Sequence, residues 1–238
     1  MARPPKPGKC VHCLRPSVER NWDHVFPESW YPESTPKNLA KWQIPSCLPC
    51  NRRLGAIESD FLRRISMCLD PNDPASQGLA ARALRSMKPE FARNASDARA
   101  RVAAARRFTA ELLHGEQIPD EGHYPNLGER SSRPKTEATA LLIPEASFQA
   151  VTEKIVRGIA YIENRTFIAP PYRVQFIAVA DEAAAHVRGL LDEHGSTFAL
   201  EPGIVVRRVV APEDGISAIY ELEFWKQLKT FASVLNDA

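Results

Sequence analysis

Two pairs of cysteines with the spacing of metal ligands lie in the first 50 residues of the chain. They are Cys10-x-x-Cys13 and Cys47-x-x-Cys50. One tight turn can present two thiolates, and two such turns complete the tetrahedral four-sulfur shell of structural zinc. A single pair also occurs by chance and in redox proteins, so it is the presence of both pairs that favours zinc. A closed shell has no open position for a substrate, so this zinc is expected to hold the fold, with His12 as a bystander.

Polar residues that can transfer protons or bind hard cations lie between and directly after these pairs. They are Asp23, His24, Asn38 and Asn51. Each alone has an ordinary interpretation: Asn51 could cap the helix that it opens, His24 could be a satisfied core or surface histidine, and Asn38 could be a loop residue. The ordered set, framed by both cysteine pairs, is what indicates a reactive site.

The order and spacing of these elements resemble the HNH (ββα-metal) endonuclease family. The family pattern reads Cys-x-x-Cys, Asp-His, Asn-Leu, then Cys-x-x-Cys followed directly by His or Asn. The corresponding elements here include Asp23-His24, Asn38-Leu39 and Asn51, and the resemblance covers roughly residues 9–68. Asn51 stands where the commonest form has histidine, so the sequence is similar to an HNN variant of the family.

This resemblance implies a role for each polar residue in hydrolysing DNA phosphodiester bonds. His24 would be the general base, because imidazole titrates near the working pH. Asn38 would orient it by accepting the proton on the other ring nitrogen. Asp23 and Asn51 would bind a catalytic Mg²⁺ or Mn²⁺, a Lewis acid that stabilises the leaving oxygen. The resemblance also implies a β-hairpin that carries His24, a helix that begins at Asn51, and entry into the DNA minor groove with little base reading.

Three charged residues that follow Asn51 are further candidates for the site. Glu58 lies two helical turns later on the same face, where it could contact the site through water or a second metal, although a solvated glutamate is more ordinary. Arg52 and Arg53 could bind phosphates, or could simply belong to an exposed basic face.

The elements that must position these residues follow from hydrophobic periodicity. An amphipathic helix is predicted from Asn51 to about Leu69, and two more within 74–114, the second beginning at Asn94 or Ser96. A helix is predicted from Pro144 towards Tyr161, a further one between Asp181 and Gly195, and a last one from about Lys226. Alternating patterns predict strands at 173–178, 204–210 and 216–224.

These elements predict an α+β protein of four parts. They are a zinc-braced ββα-metal nuclease module at 1–70, a basic helical spacer at 71–118, a linker at 119–138 and a C-terminal α+β domain at 139–238. The linker is placed by its Pro, Gly and Ser content. The segment EKIVRGIAYIEN is similar to one in bacterial HNH proteins, but its Lys154 and Arg157 are expected to be surface charges.

Composition limits the compartment and the partners. With 44% apolar and 25% charged residues, and with neither a membrane-length apolar run nor a secretory signal, the chain is expected to be a cytoplasmic globular protein without a membrane partner. Residues 1–118 carry 19 Lys and Arg against 12 Asp and Glu, whereas residues 119–238 carry 12 against 17. A basic half suits DNA, expected here in double-stranded form, but a solvated basic face is an equal alternative.

Two functions from different classes therefore compete at this point. The first is a metal-dependent endonuclease, with which a bacterial defence or restriction role is compatible. The second is a zinc-braced nucleic-acid-binding module without catalysis, whose signature would be a missing Asp-His pair. The acidic C-terminal half is expected to bind a regulatory partner, to form a homodimer or to sense a signal.

Overall fold

The computed structural model describes residues 3–66, 68–119, 134–178, 182–201 and 203–237. In order, its elements are β1 Arg20–His24, β2 Gln43–Cys47, α1 Leu48–Ile65, α2 Leu79–Arg85, α3 Ala95–Ala110, β3 Leu112–His114, β4 Thr139–Leu141, α4 Glu145–Asn164, β5 Tyr172–Ile177, α5 Glu182–His194, β6 Ser196–Glu201, β7 Ile204–Val210, β8 Ala218–Phe224 and β9 Leu228–Asn236. The predicted α+β class is confirmed. Among these helices, none combines the length and the apolar character that a membrane span needs.

An antiparallel hairpin runs directly into the first helix. Strands β1 and β2 pair with His24 opposite Gln43, and α1 begins at the next residue after β2. Helix α1 buries Leu54, Phe61 and Ile65 on one face, as the 3.6-residue period requires. It begins three residues earlier than predicted, because Pro49 is accepted in the first turn and Cys47 takes the N-cap position. The alternative in which Asn51 caps this helix is therefore wrong.

Five antiparallel strands in the order β5-β9-β8-β7-β6 form the main sheet. The strands predicted at 173–178, 204–210 and 216–224 are confirmed as β5, β7 and β8. The helix predicted from Lys226 is wrong, because strand β9 occupies this segment. Phe231 packs with α5 on one face of the sheet, whereas Ala232 and Val234 belong to the main core on the other. A strand buried on both faces loses the polar–apolar alternation that identifies strands.

One hydrophobic core receives residues from both halves of the chain. At its centre the Trp30 ring lies 5.3 Å from the Phe61 ring and 5.7 Å from the Phe224 ring, measured between centroids. Trp225 donates a hydrogen bond from its indole nitrogen to the Trp30 carbonyl oxygen at 3.0 Å. A boundary at 119–138 thus does not separate two cores. The four predicted parts stay predictions, and residues 120–133 of the linker lie outside the described part of the chain.

Helix α4 connects the C-terminal half to the hairpin, and it does so through a glycine. A Cβ atom at Gly158 would lie 2.9 Å from both γ-methyl carbons of Val25 and 3.4 Å from Ile44 Cδ1. The absence of a side chain at this position lets the α4 backbone lie directly against Val25, the residue after β1, and against β2.

Replacing Gly158 by leucine should therefore lower the free energy of unfolding by about 1–3 kcal/mol, the usual cost of overpacking. Gly189 on α5 is the matched control, because a Cβ there meets no atom within 4 Å. Gly189→Leu should raise stability by roughly 0.5–1 kcal/mol through helix propensity. Urea unfolding of both variants measures the difference, and equal stability would contradict this packing.

Candidate functional site

The four cysteines of the two predicted pairs lie together at the base of the hairpin. The sulfur atoms of Cys10, Cys13, Cys47 and Cys50 are all within 4.8 Å of one another, and no disulfide joins them. Cys13 Sγ and Cys47 Sγ lie 3.8 Å apart, close to the ~3.8 Å edge of a tetrahedron with Zn–S bonds of ~2.3 Å. The four thiols are therefore close enough to hold a metal ion such as zinc.

Two hydrogen-bond donors favour the thiolate forms that bind metal. The Cys47 amide donates to Cys10 Sγ at 3.3 Å, and Arg15 donates to Cys13 Sγ at 3.4 Å. Burial opposes ionisation of Cys13, but the hydrogen bonds from Arg15 and the neighbouring thiols lower the pKa of Cys13 to about 6. Such a cysteine is largely ionised at neutral pH, which suits a metal ligand.

Strand β1 directs its last two side chains differently, because successive residues of a strand face opposite sides. Asp23 points inwards and is only 6% exposed, whereas His24 lines an open cleft of about 1100 Å³. The cleft lies between α1 and the segment that joins the two strands. Its polar lining includes His24, Lys37, Lys41, Gln43, Glu58 and Arg82.

His24 is held in a form that can accept a proton. Partial burial lowers the pKa of His24 below its ordinary value, which favours the neutral ring. The side-chain amide of Gln43 lies 3.0 Å from His24 Nε2. The Gln43 atom in this contact is the amide nitrogen, which donates, so the contact occupies the lone pair of His24 Nε2 and puts the ring proton on Nδ1. With the amide turned over, its oxygen would accept from Nε2–H and leave Nδ1 free.

Asp23 is the centre of a buried ionic cluster. Its Oδ2 lies 3.0 Å from His12 Nε2, and its Oδ1 accepts a hydrogen bond from Lys154 Nζ, also at 3.0 Å. The same ammonium donates to Glu58 Oε1. The Lys154 side chain is 2% exposed, so the expectation that Lys154 is a surface charge is wrong. The expectation of a solvated Glu58 is also wrong, because this residue is 8% exposed.

The two carboxylates of this cluster differ in their affinity for protons. Burial alone would raise the pKa of Asp23, but the hydrogen bond from His12 and the charge of Lys154 bring it below its ordinary value. Burial raises the pKa of Glu58, and the attraction of Lys154 offsets this only in part. Asp23 is thus the firmly ionised member of the pair.

The other predicted site residues lie around this centre with fewer contacts. Asn38 is exposed in the segment between the strands, and no hydrogen bond joins it to His24 within the described ranges. Asn51 donates from Nδ2 to the Trp22 carbonyl oxygen at 3.4 Å, which places it beside β1 next to Asp23. Arg52 and Arg53 are exposed on the first turns of α1. The roles assigned to all four residues stay predictions.

Sequence reasoning missed three polar residues of this site: His12, Gln43 and Lys154. Gln43 could have been found from the hairpin register, which pairs it with His24. His12 lies between two predicted metal ligands, and its sequence position indicates only a bystander. Lys154 is 131 residues from Asp23, and no local pattern connects them.

No known protein family model matches the chain, and no match was found among curated proteins or solved structures. Its function is therefore inferred from the residues and distances described above.

Proposed function

We propose that the chain is a metal-dependent endonuclease of the HNH type, in its HNN variant, that hydrolyses phosphodiester bonds in double-stranded DNA. The observation that carries this proposal is the placement of His24. His24 is the last residue of strand β1 and faces an open cleft. The β1–β2 hairpin that carries it continues into α1, and α1 begins between two cysteines of the thiol cluster.

His24 is the general base of the proposed reaction. The neutral ring takes a proton from a water molecule, and the water oxygen attacks the phosphorus atom. The bond between phosphorus and the 3′ oxygen then breaks, and this oxygen leaves with the bonding electron pair and takes a proton from solvent. For this role the Gln43 amide is turned so that its oxygen accepts the proton on His24 Nε2, which leaves Nδ1 free as the base. Asn38 is the residue predicted from sequence to orient the ring.

Zinc at the four cysteines has a structural role in this proposal. Four protein sulfurs complete a tetrahedral shell, so no position remains for water or phosphate. The cysteines would hold the ion between the turn at Cys10 and Cys13 and the junction of β2 and α1, and a bound ion would fix the hairpin that carries His24.

The catalytic Mg²⁺ or Mn²⁺ of the proposal would be held by Asp23 and Asn51, whose oxygen atoms are of the type that such ions prefer. The site described here does not fit this ion without rearrangement. Both oxygens of Asp23 already contact a donor, Lys154 on one side and His12 on the other, and the residue is nearly inaccessible.

Cations around the cleft support a polyanionic substrate. Lys37, Lys41 and Arg82 line it, and Arg52 and Arg53 lie exposed on α1. Lys41 is paired with Glu28 at 2.8 Å, and Arg82 donates to the carbonyl oxygens of Ser29 and Tyr31. The exposed Lys37, Arg52 and Arg53 are thus the residues proposed to contact phosphates, which position DNA without reading its sequence.

The same conflict at Asp23 favours one alternative function. A zinc-braced module that binds nucleic acid without cleaving it would tolerate a lysine on its Asp23 carboxylate. The retained Asp23-His24 pair and the open cleft at His24 favour the nuclease.

Supercoiled plasmid separates these two functions. The zinc-loaded chain is incubated with plasmid in Mg²⁺, in Mn²⁺ and in EDTA, while fluorescence anisotropy follows binding of a labelled duplex. The nuclease predicts nicked or linear product only when divalent metal is present. Binding without product under every condition would support the alternative and overturn the proposal.

A further inference from the structure

The C-terminal half of the chain delivers a buried cation to the candidate nuclease site. Lys154 lies on α4, and its ammonium reaches Asp23 on β1 and Glu58 on α1. All three side chains are at most 10% exposed. Water therefore screens their attraction poorly, and removing the lysine would leave two buried carboxylates without a cation.

Helix α4 has little freedom to withdraw this lysine. Val151, Ile155 and Ile159 on the same helix are buried in the shared core, and the Gly158 backbone lies against Val25. The ammonium is thus a fixed part of the site in the folded chain. Any departure from Asp23 must come from rotation of the lysine side chain.

A divalent ion and this ammonium cannot share the same side of Asp23. Lys154 Nζ lies 3.0 Å from Asp23 Oδ1, whereas Mg²⁺ would need to approach that oxygen to ~2.1 Å. His12 Nε2 occupies the corresponding position at Oδ2. Two cations a few ångströms apart in a poorly hydrated site repel each other strongly.

We propose that Lys154 is a built-in competitor for divalent metal at Asp23, so that metal binds there only when the ammonium is displaced. Glu58 also contacts the ammonium and so stabilises it in the position where it excludes metal from Asp23. The competition itself concerns binding at Asp23 alone. It rests on the proposed nuclease function only in that this function gives the divalent metal a catalytic role.

Binding of Mn²⁺ tests the competition without any cleavage assay. The zinc-loaded full chain is titrated with Mn²⁺ and free ion is followed by electron paramagnetic resonance. Lys154→Met should bind one Mn²⁺ about tenfold or more tighter than the original chain. Lys154→Arg keeps the charge, so its Mn²⁺ affinity should stay close to that of the original chain. The double variant Asp23→Asn, Lys154→Met should lose the increase in Mn²⁺ affinity.

Arg157→Met provides the matched control on the same helix. Arg157 pairs with Glu153 and donates to the Ile168 carbonyl oxygen, away from Asp23, so its loss should leave Mn²⁺ affinity unchanged. An equal gain in Arg157→Met, or no gain in Lys154→Met, would overturn the proposal.

A second pair of variants covers the possibility that Lys154→Met unfolds because two carboxylates lose their cation. Glu58→Gln with Lys154→Met removes one of those charges, and it should bind Mn²⁺ more tightly than Glu58→Gln alone. Tighter Mn²⁺ binding with no DNA cleavage in any variant would support the competition and count against the nuclease. DNA cleavage together with unchanged Mn²⁺ affinity in the Lys154 variants would support the nuclease and overturn the competition.

Discussion

Replacing both Cys47 and Cys50 by serine is expected to remove one bound zinc ion per chain and to unfold residues 9–19. Binding of structural zinc is worth about 10–16 kcal/mol in isolated finger peptides, which matches or exceeds the ~5–15 kcal/mol stability of a typical domain. Between Gly8 and the hairpin the chain has few buried apolar residues, chiefly Val11. Little besides the metal can therefore hold this segment in place.

Zinc content by atomic absorption and amide hydrogen exchange measure this effect. Cys68→Ser is the matched control, because Cys68 follows α1 and lies outside the cluster. It should keep one zinc per chain and normal exchange at 9–19. The expectation fails if the double variant retains zinc and slow exchange across these residues.

Replacing His24 by alanine is expected to slow plasmid cleavage by about 10²–10⁴-fold while leaving zinc content and folding intact. The ring faces the cleft rather than the core, so little packing is lost. What is lost is the proposed acceptor for the proton of the attacking water.

Single-turnover nicking of supercoiled plasmid measures this loss. His194→Ala is the matched control, since His194 is exposed at the end of α5 and pairs with neighbouring Glu193, on the opposite half of the chain from the cleft. That variant should cleave at the original rate. Equal rates for His24→Ala and the original chain would remove His24 from the reaction.

The features that could be predicted from sequence are those set by local spacing. Two Cys-x-x-Cys pairs predicted the thiol cluster, because turn geometry alone brings each pair together. The predicted cap at Asn94 is confirmed, since its side chain accepts from the Asp97 amide at 2.9 Å and α3 begins directly after it. The cap depends on neighbouring residues alone, whereas the meeting of the two cysteine pairs also requires the β1–β2 hairpin.

The features that could not be predicted depend on contacts between distant segments. The local sequence of α4 indicates that Lys154 is a surface charge, whereas the fold buries it beside Asp23 and Glu58. Likewise, β9 loses its alternation only because helices and core cover both faces of the sheet. Burial of a charge and burial of both strand faces are properties of the assembled core, which periodicity cannot reveal.

The pH dependence of kcat/KM for plasmid cleavage tests the role of His24 most directly. Burial lowers the pKa of His24, so the neutral base should persist to a lower pH than for a free histidine. In metal-saturated reactions the rate should rise with pH, reach half its maximum below pH ~6.5 and then stay level. The residual activity of His24→Ala should lack this transition. A His24→Ala chain with the original rate and the same midpoint would contradict the assignment of His24 as general base.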